Sequence, residues 1–176
     1  MDNAELTPVF DEAAIQARIM ELGHQISGDY PDGNVIFIGI LKGAFVFLAD
    51  LVRALSKPCQ IEFVRISSYG CSKTSSGCLN ILLDIAAPIE GRDVILVDDI
   101  VDTGLTLNQY RERLLEKNPR SLKIAALINK TGRREKSVSL DYCGFDIDRG
   151  FLVGYGLDCD EKFRNLSAVY SLDASH

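Results

Sequence analysis

Val94-Ile95-Leu96-Val97-Asp98-Asp99-Ile100-Val101-Asp102-Thr103-Gly104-Leu105-Thr106-Leu107 is the stretch that decides the fold of this 176-residue chain. Val94 to Val97 are apolar and mostly β-branched, which predicts a buried strand. The acids and Thr103-Gly104-Leu105-Thr106 then read as a turn, and helical spacing begins at Leu107. A strand that empties through a polar turn into a helix points backbone N–H groups at whatever sits above it, which makes a phosphate cradle. Asp98, Asp99 and Asp102 beside that cradle would repel a bare phosphate. The ligand these residues suit is phosphorylated, polyhydroxylated and accompanied by a divalent cation.

On either side the chain alternates strand and helix. Asp11 to Ile26 carries a one-sided helical pattern with Asp11 as its N-cap. Val35 to Ile40 is a continuous apolar run, as a parallel strand covered on both faces requires. Leu41-Lys42-Gly43 turns into a helix over Ala44 to Leu55, and Gln60 to Ser67 alternates like a strand. Ser68 to Asn80 is rich in small polar residues and reads as a long loop, either functional or disordered, with a mobile tip expected. Ile81 to Ile85, Ser121 to Asn129 and Tyr142 to Phe145 predict further strands, whereas Leu172 to His176 reads as frayed. The basic run of Lys130, Arg133, Arg134 and Lys136 reads as a solvated loop.

Such alternation predicts one α/β domain over residues 1–176, with a mainly parallel sheet flanked by helices on both faces. Ligands of these sheets bind outside the carboxyl ends of the strands. Lys42-Gly43, Ser68-Tyr69, Asp98 to Thr106 and Lys130 each follow a predicted strand, so they converge on one rim.

Composition excludes several functions. A formal net charge of -6 argues against a nucleic-acid binder, which needs basic surface. The five cysteines (Cys59, Cys71, Cys78, Cys143, Cys159) form no CxxC pair, and with only His24 and His176 a zinc site is not expected. Reduced thiols and an acidic start without an apolar core suggest a cytoplasmic protein. Asn34 to Leu55 is nearly apolar over about the length of a bilayer span, but Lys42 at its middle makes spanning costly, so no membrane partner is expected. P-loop and dinucleotide fingerprints are missing, and acids at 98, 99 and 102 do not match an Asp-x-Asp phosphatase.

Val97-Asp98-Asp99-Ile100-Val101-Asp102-Thr103-Gly104-Leu105-Thr106 resembles the phosphoribosyl diphosphate (PRPP) signature of the type I phosphoribosyltransferases. Leu41-Lys42-Gly43, Ser67-Ser68-Tyr69-Gly70, Ile128-Asn129-Lys130, Phe151 to Asp158 and Phe163-Arg164-Asn165-Leu166 narrow the resemblance to hypoxanthine-guanine phosphoribosyltransferases of bacterial size. It runs from about Val35 to Leu166. The resemblance implies the type I fold, with a lid loop and a small base-binding hood. It also implies transfer from PRPP to a 6-oxopurine with Mg²⁺, in a dimer or tetramer.

By the same resemblance, residues Asp102 to Thr106 (with Thr103, Gly104 and Leu105) hold the 5′-phosphate, and Asp98 and Asp99 serve the ribose hydroxyls or metal. Asp102 is then the proton acceptor. Lys42, Gly43 and Arg164 match diphosphate-binding residues, and the peptide before this lysine is often cis in the family. Ser68 and Tyr69 begin the lid. Lys130 matches the donor to the 6-oxo group, Phe151 the stacking ring, Leu152 a backbone partner of the base, and Asp158 a purine-side residue and ligand of a second metal. Asp98 stands where many relatives carry glutamate, and Leu105 can serve a phosphate only through its backbone. Two alternatives stay open: an RNA-binding regulator of the same fold, which the acidity opposes, and a transferase for another base such as xanthine.

Overall fold

The computed structural model describes residues 5–67 and 79–173. Strands β1 (Glu5–Phe10), β2 (Val35–Leu41), β3 (Gln60–Ser67), β4 (Asn80–Leu83), β5 (Asp93–Val101), β6 (Ser121–Lys130), β7 (Tyr142–Ile147), β8 (Leu152–Val153) and β9 (Val169–Asp173) alternate with three long helices. These are α1 (Glu12–Asp29), α2 (Phe45–Arg53) and α3 (Leu105–Leu115). The Asp11 side chain accepts a hydrogen bond from Ala14 N at 2.7 Å, so it caps α1 as its position predicts. No helix among the described residues is long and apolar enough to cross a membrane.

Six strands form the main sheet in the order β4-β3-β2-β5-β6-β7. All its neighbours run parallel except β3 and β4, which pair antiparallel. The apolar runs are continuous because both faces are covered. In β2, β5 and β6, Phe37, Ile95, Val97, Ala125 and Leu127 pack toward α1 and α2, with Ile19, Leu22, Phe47 and Leu51. Their alternate neighbours Ile36, Ile38, Val94, Leu96, Ile124 and Ala126 pack toward α3, with Leu107, Tyr110 and Leu114. Truncating one of these fully buried leucines to alanine costs about 2–5 kcal/mol.

From β2 the chain leaves through α2 to β3, on one side of the sheet; from β5 it leaves through α3 to β6, on the other. The two helices cover opposite faces. A crevice therefore opens between the carboxyl ends of β2 and β5, where such sheets bind ligands.

A second, three-stranded antiparallel sheet has the order β1-β9-β8. Its Leu152 and Val169 join the α1–α2 core, and Phe10 stacks on Phe145 of β7 with ring centroids 4.1 Å apart. Tyr155, just after β8, donates its hydroxyl to Asp50 of α2. Neither β1 nor β9 stands out as a strand in the sequence, and Leu172 is not frayed: it pairs with Leu6. Partner strands from the opposite end of the chain, not local pattern, hold these segments extended.

Candidate active site

β5 runs four residues further than the apolar pattern suggests, so Asp98 and Asp99 lie on the strand and not in a turn. Pairing with β6 continues through Asp98↔Ala126 and Val101↔Asn129, and this ladder outweighs the low strand preference of aspartate. Helix α3 likewise begins at Leu105 instead of Leu107. Only Asp102, Thr103 and Gly104 separate the two elements. Gly104 adopts φ 79°, a left-handed conformation, and a Cβ there would lie 2.6 Å from the Lys136 carbonyl oxygen. Asp98, Asp102, Thr103, Gly104 and Thr106 line a cleft of about 160 Å³ at the N-terminus of α3.

The basic segment after β6 is not simply solvated. Arg134 donates to the carbonyls of Asp102 and Val101 at 2.9 Å each, to Lys130 O at 3.1 Å and to Asn129 Oδ1 at 2.5 Å. The amides of Glu135 and Lys136 both donate to Thr103 O at 3.0 Å. One loop thus pins the turn after β5 to the end of β6. Arg134 has no special spacing in the sequence, so nothing there distinguishes it from its exposed neighbour Arg133.

Asp102 and Lys130 meet directly. Lys130 Nζ lies 3.3 Å from Asp102 Oδ2, and Arg133 Nη1 lies 3.6 Å from the same oxygen. Lys130 is only 8% exposed. Asp102 Oδ1 is buried and has no hydrogen-bond partner among the described residues. A buried acceptor left open is costly unless a ligand donates to it.

Asp98 and Asp99 sit side by side at the crevice. Burial pushes the Asp98 carboxyl well above the ordinary carboxylate range, and the Asp99 charge adds to this; burial raises Asp99 as well. Across the crevice, Gly43 packs on Asp99: a Cβ at position 43 would lie 1.8 Å from Asp99 Oδ2. The Leu41–Lys42 peptide is cis. On the other side of this turn rests the loop between β8 and β9, which with the three-stranded sheet forms the hood, since a Cβ on Gly156 would lie 2.2 Å from Gly43 O.

Arg164 donates to Gly156 O at 2.8 Å and pairs with Asp158 Oδ1 at 2.7 Å. Lys42 Nζ pairs with Glu161 Oε2 at 2.7 Å, and Lys42 holds the Glu161 carboxyl below its usual range. The hood loop and the β2 turn are therefore joined by charge. Asp158 Oδ2 accepts from Glu161 N at 2.9 Å, so both its oxygens are engaged. Phe151, just before β8, is 53% exposed, and Leu152 beside it is buried. Ser68 and Tyr69 lie outside the described residues. Among the described residues no three acidic, histidine or cysteine side chains form a metal-holding group, so Asp98, Asp99 and Asp158 do not assemble as one cage.

Residues 7–160 match the family described as Phosphoribosyl transferase domain. The hypoxanthine-guanine phosphoribosyltransferase of Mycobacterium tuberculosis is 47% identical over 165 residues, covering 90% of this chain and 82% of the relative. That of Aquifex aeolicus is 43% identical over 170 residues, covering 96% of both. A crystal structure of a hypoxanthine-guanine phosphoribosyltransferase from Bacillus anthracis superposes with a TM-score of 0.91 at 37% identity, covering 97% of this chain and 100% of that one. Sheet order, the cradle after β5 and these likenesses agree: the chain belongs to the phosphoribosyltransferase family, among the hypoxanthine-guanine phosphoribosyltransferases.

Proposed function

We propose that this chain transfers the 5-phosphoribosyl group from PRPP to hypoxanthine or guanine, giving IMP or GMP and diphosphate in purine salvage. The observation that carries this reading is Asp102, with one carboxylate oxygen buried and open and the other beside Lys130, at the mouth of an anion-binding turn. Few other ligands would need a proton acceptor, a cationic donor and a phosphate cradle together.

In this reading the 5′-phosphate lies at the N-terminus of α3, on the amides of residues 102 to 106, with the Thr103 and Thr106 hydroxyls assisting. Leu105 contributes backbone alone. Lys42 and Arg164 hold the diphosphate, and Gly43 leaves room for it. As the bond to diphosphate breaks, positive charge develops at the anomeric carbon, as in glycoside hydrolysis. Asp102 accepts the proton of the attacking purine's imidazole nitrogen. Lys130 donates to the 6-oxo group, where the amino group of adenine would present a second donor. Phe151 stacks on the base and Leu152 meets its edge through the backbone. Ser68 and Tyr69 begin the lid that keeps water from hydrolysing PRPP.

The donor set fits Mg²⁺. That ion is usually held by one or two carboxylates together with substrate oxygens, and adjacent half-buried acids such as Asp98 and Asp99, both with raised pKa, are relieved by a cation. When bound, Mg²⁺ supplies charge neutralisation for the departing diphosphate. Asp158 is the candidate for a second ion, in exchange for its bond to Arg164.

The enzyme works in the cytoplasm as one domain and as a homo-oligomer. The thiols of Cys59, Cys143 and Cys159 are free, which suits a reducing compartment. Exposed Ile61, Phe63, Leu82 and Leu83 at the β3–β4 edge suit a subunit contact. The test is incubation with PRPP, Mg²⁺ and, separately, hypoxanthine, guanine, xanthine and adenine. Monophosphate is expected from hypoxanthine or guanine; its absence from both sinks the reading.

A further inference from the structure

Glu161 belongs to none of the motifs that mark the site, yet it touches both cations assigned to the diphosphate. Its Oε2 accepts from Lys42 Nζ at 2.7 Å and lies 3.5 Å from Arg164 Nη2. Lys42 comes from the turn after β2 and Arg164 from the hood loop. One carboxylate oxygen bridges them, where an oxygen of a bound diphosphate would do the same.

The backbone aims Glu161 there. Asp160, Glu161 and Phe163 have φ of 52°, 64° and 75°, a left-handed conformation that residues with a Cβ rarely adopt. The Glu161 amide is anchored on Asp158 Oδ2 at 2.9 Å. Its side chain is 62% exposed, so it can swing into solvent without leaving a void. Arg164 keeps its bond to Gly156 O when it does.

We propose that Glu161 is an internal stand-in for diphosphate: it bridges Lys42 and Arg164 in the free enzyme and is displaced when diphosphate binds. This rests on the reading of Lys42 and Arg164 as diphosphate residues. Glu161 then acts as a positioning residue that competes with the ligand, lowering diphosphate affinity and easing product release. A solvent-exposed ion pair sets the size of the effect at about twofold to fivefold.

Calorimetric titration with Mg²⁺-diphosphate tests this on the wild type, Glu161→Gln, Lys42→Ala and the double variant. Glu161→Gln is expected to bind diphosphate about twofold to fivefold more tightly than wild type, with an unchanged melting temperature in the absence of ligand. In the Lys42→Ala background that gain should shrink, because half of the bridge is gone. Equal or weaker binding by Glu161→Gln overturns the proposal and would mean that Glu161 merely holds Lys42 in place. A wild-type protein that binds no diphosphate overturns the site reading itself, and this inference with it.

Discussion

Lys130, the last residue of β6, stands 3.3 Å from Asp102 in the turn after β5, and the two share a partly buried ion pair. Neighbouring parallel strands deliver them, so the pair depends on the β5–β6 register and not on any local motif. If Asp102 accepts the purine proton, Asp102→Asn preserves the shape of the site and removes the acceptor. Turnover should fall by about 10²–10⁴-fold while PRPP binding changes little. Steady-state kinetics combined with a direct PRPP titration checks this; equal losses in both would make Asp102 a PRPP-positioning residue.

Lys130 should govern the choice of base. Lys130→Met removes a buried charged donor and is expected to lower kcat/KM for hypoxanthine by about tenfold to a hundredfold. Activity with adenine, if any is measurable, should not fall in parallel. Parallel loss would assign Lys130 to holding Asp102 rather than reading the 6-oxo group.

Gly43→Ala tests the crevice between β2 and β5. The added Cβ would lie 1.8 Å from Asp99 Oδ2, so either the turn or the acid must move. Overpacking of this kind costs about 1–3 kcal/mol. A raised KM for PRPP and a lower Tm are expected, and an unaffected enzyme would show that the turn yields freely.

Arg134→Met should loosen the turn after β5 without touching substrate. Its guanidinium ties the carbonyls of Val101, Asp102 and Lys130 to the Asn129 side chain, and the loss of bonds to a charged donor costs about 1.5–3 kcal/mol. PRPP affinity and Tm should fall together, as thermal melting with and without PRPP would reveal. Arg134→Lys cannot restore the planar fork and should not rescue either.

Acid stability should depend on Asp93, the buried first residue of β5. Hydrogen bonds from Arg120, and then from Ser121, hold its carboxyl below the usual carboxylate range. A depressed pKa stabilises the fold above the unfolded value of about 4 and ceases to do so as pH falls through the folded value. Asp93→Asn is therefore expected to lower Tm by several degrees at neutral pH. The gap to wild type should narrow as pH falls below the unfolded carboxylate value of about 4. A gap that stays constant with pH would exclude the charge as its cause.

The sequence made the main sheet legible because its strands are apolar on both faces and its turns carry Gly, Pro and acids. Gln60 to Ser67 is a strand with the bounds its alternation predicts. The candidate site was legible as far as position goes, since the residues expected after strand ends, such as Asp102 and Lys130, are brought together. What stayed hidden depends on distant partners. β1 and β9 have little pattern of their own, Arg134 looks like any loop arginine, and Glu161 acquires its meaning only when Lys42 arrives from the other side of the crevice.

The hood sheet also constrains how the protein is made. β8, which carries the proposed base-recognition segment, pairs with β9, and β9 pairs in turn with β1, so Glu5 lies opposite Asp173. During synthesis the six-stranded sheet can close once β7 has left the ribosome, while β1 must wait for β9, which follows both β7 and β8 in the chain. Contacts of such long sequence separation form slowly. The turn proposed to hold the 5′-phosphate, with Asp102 and Lys130, can thus be in place before Phe151, Leu152 and Arg164 exist.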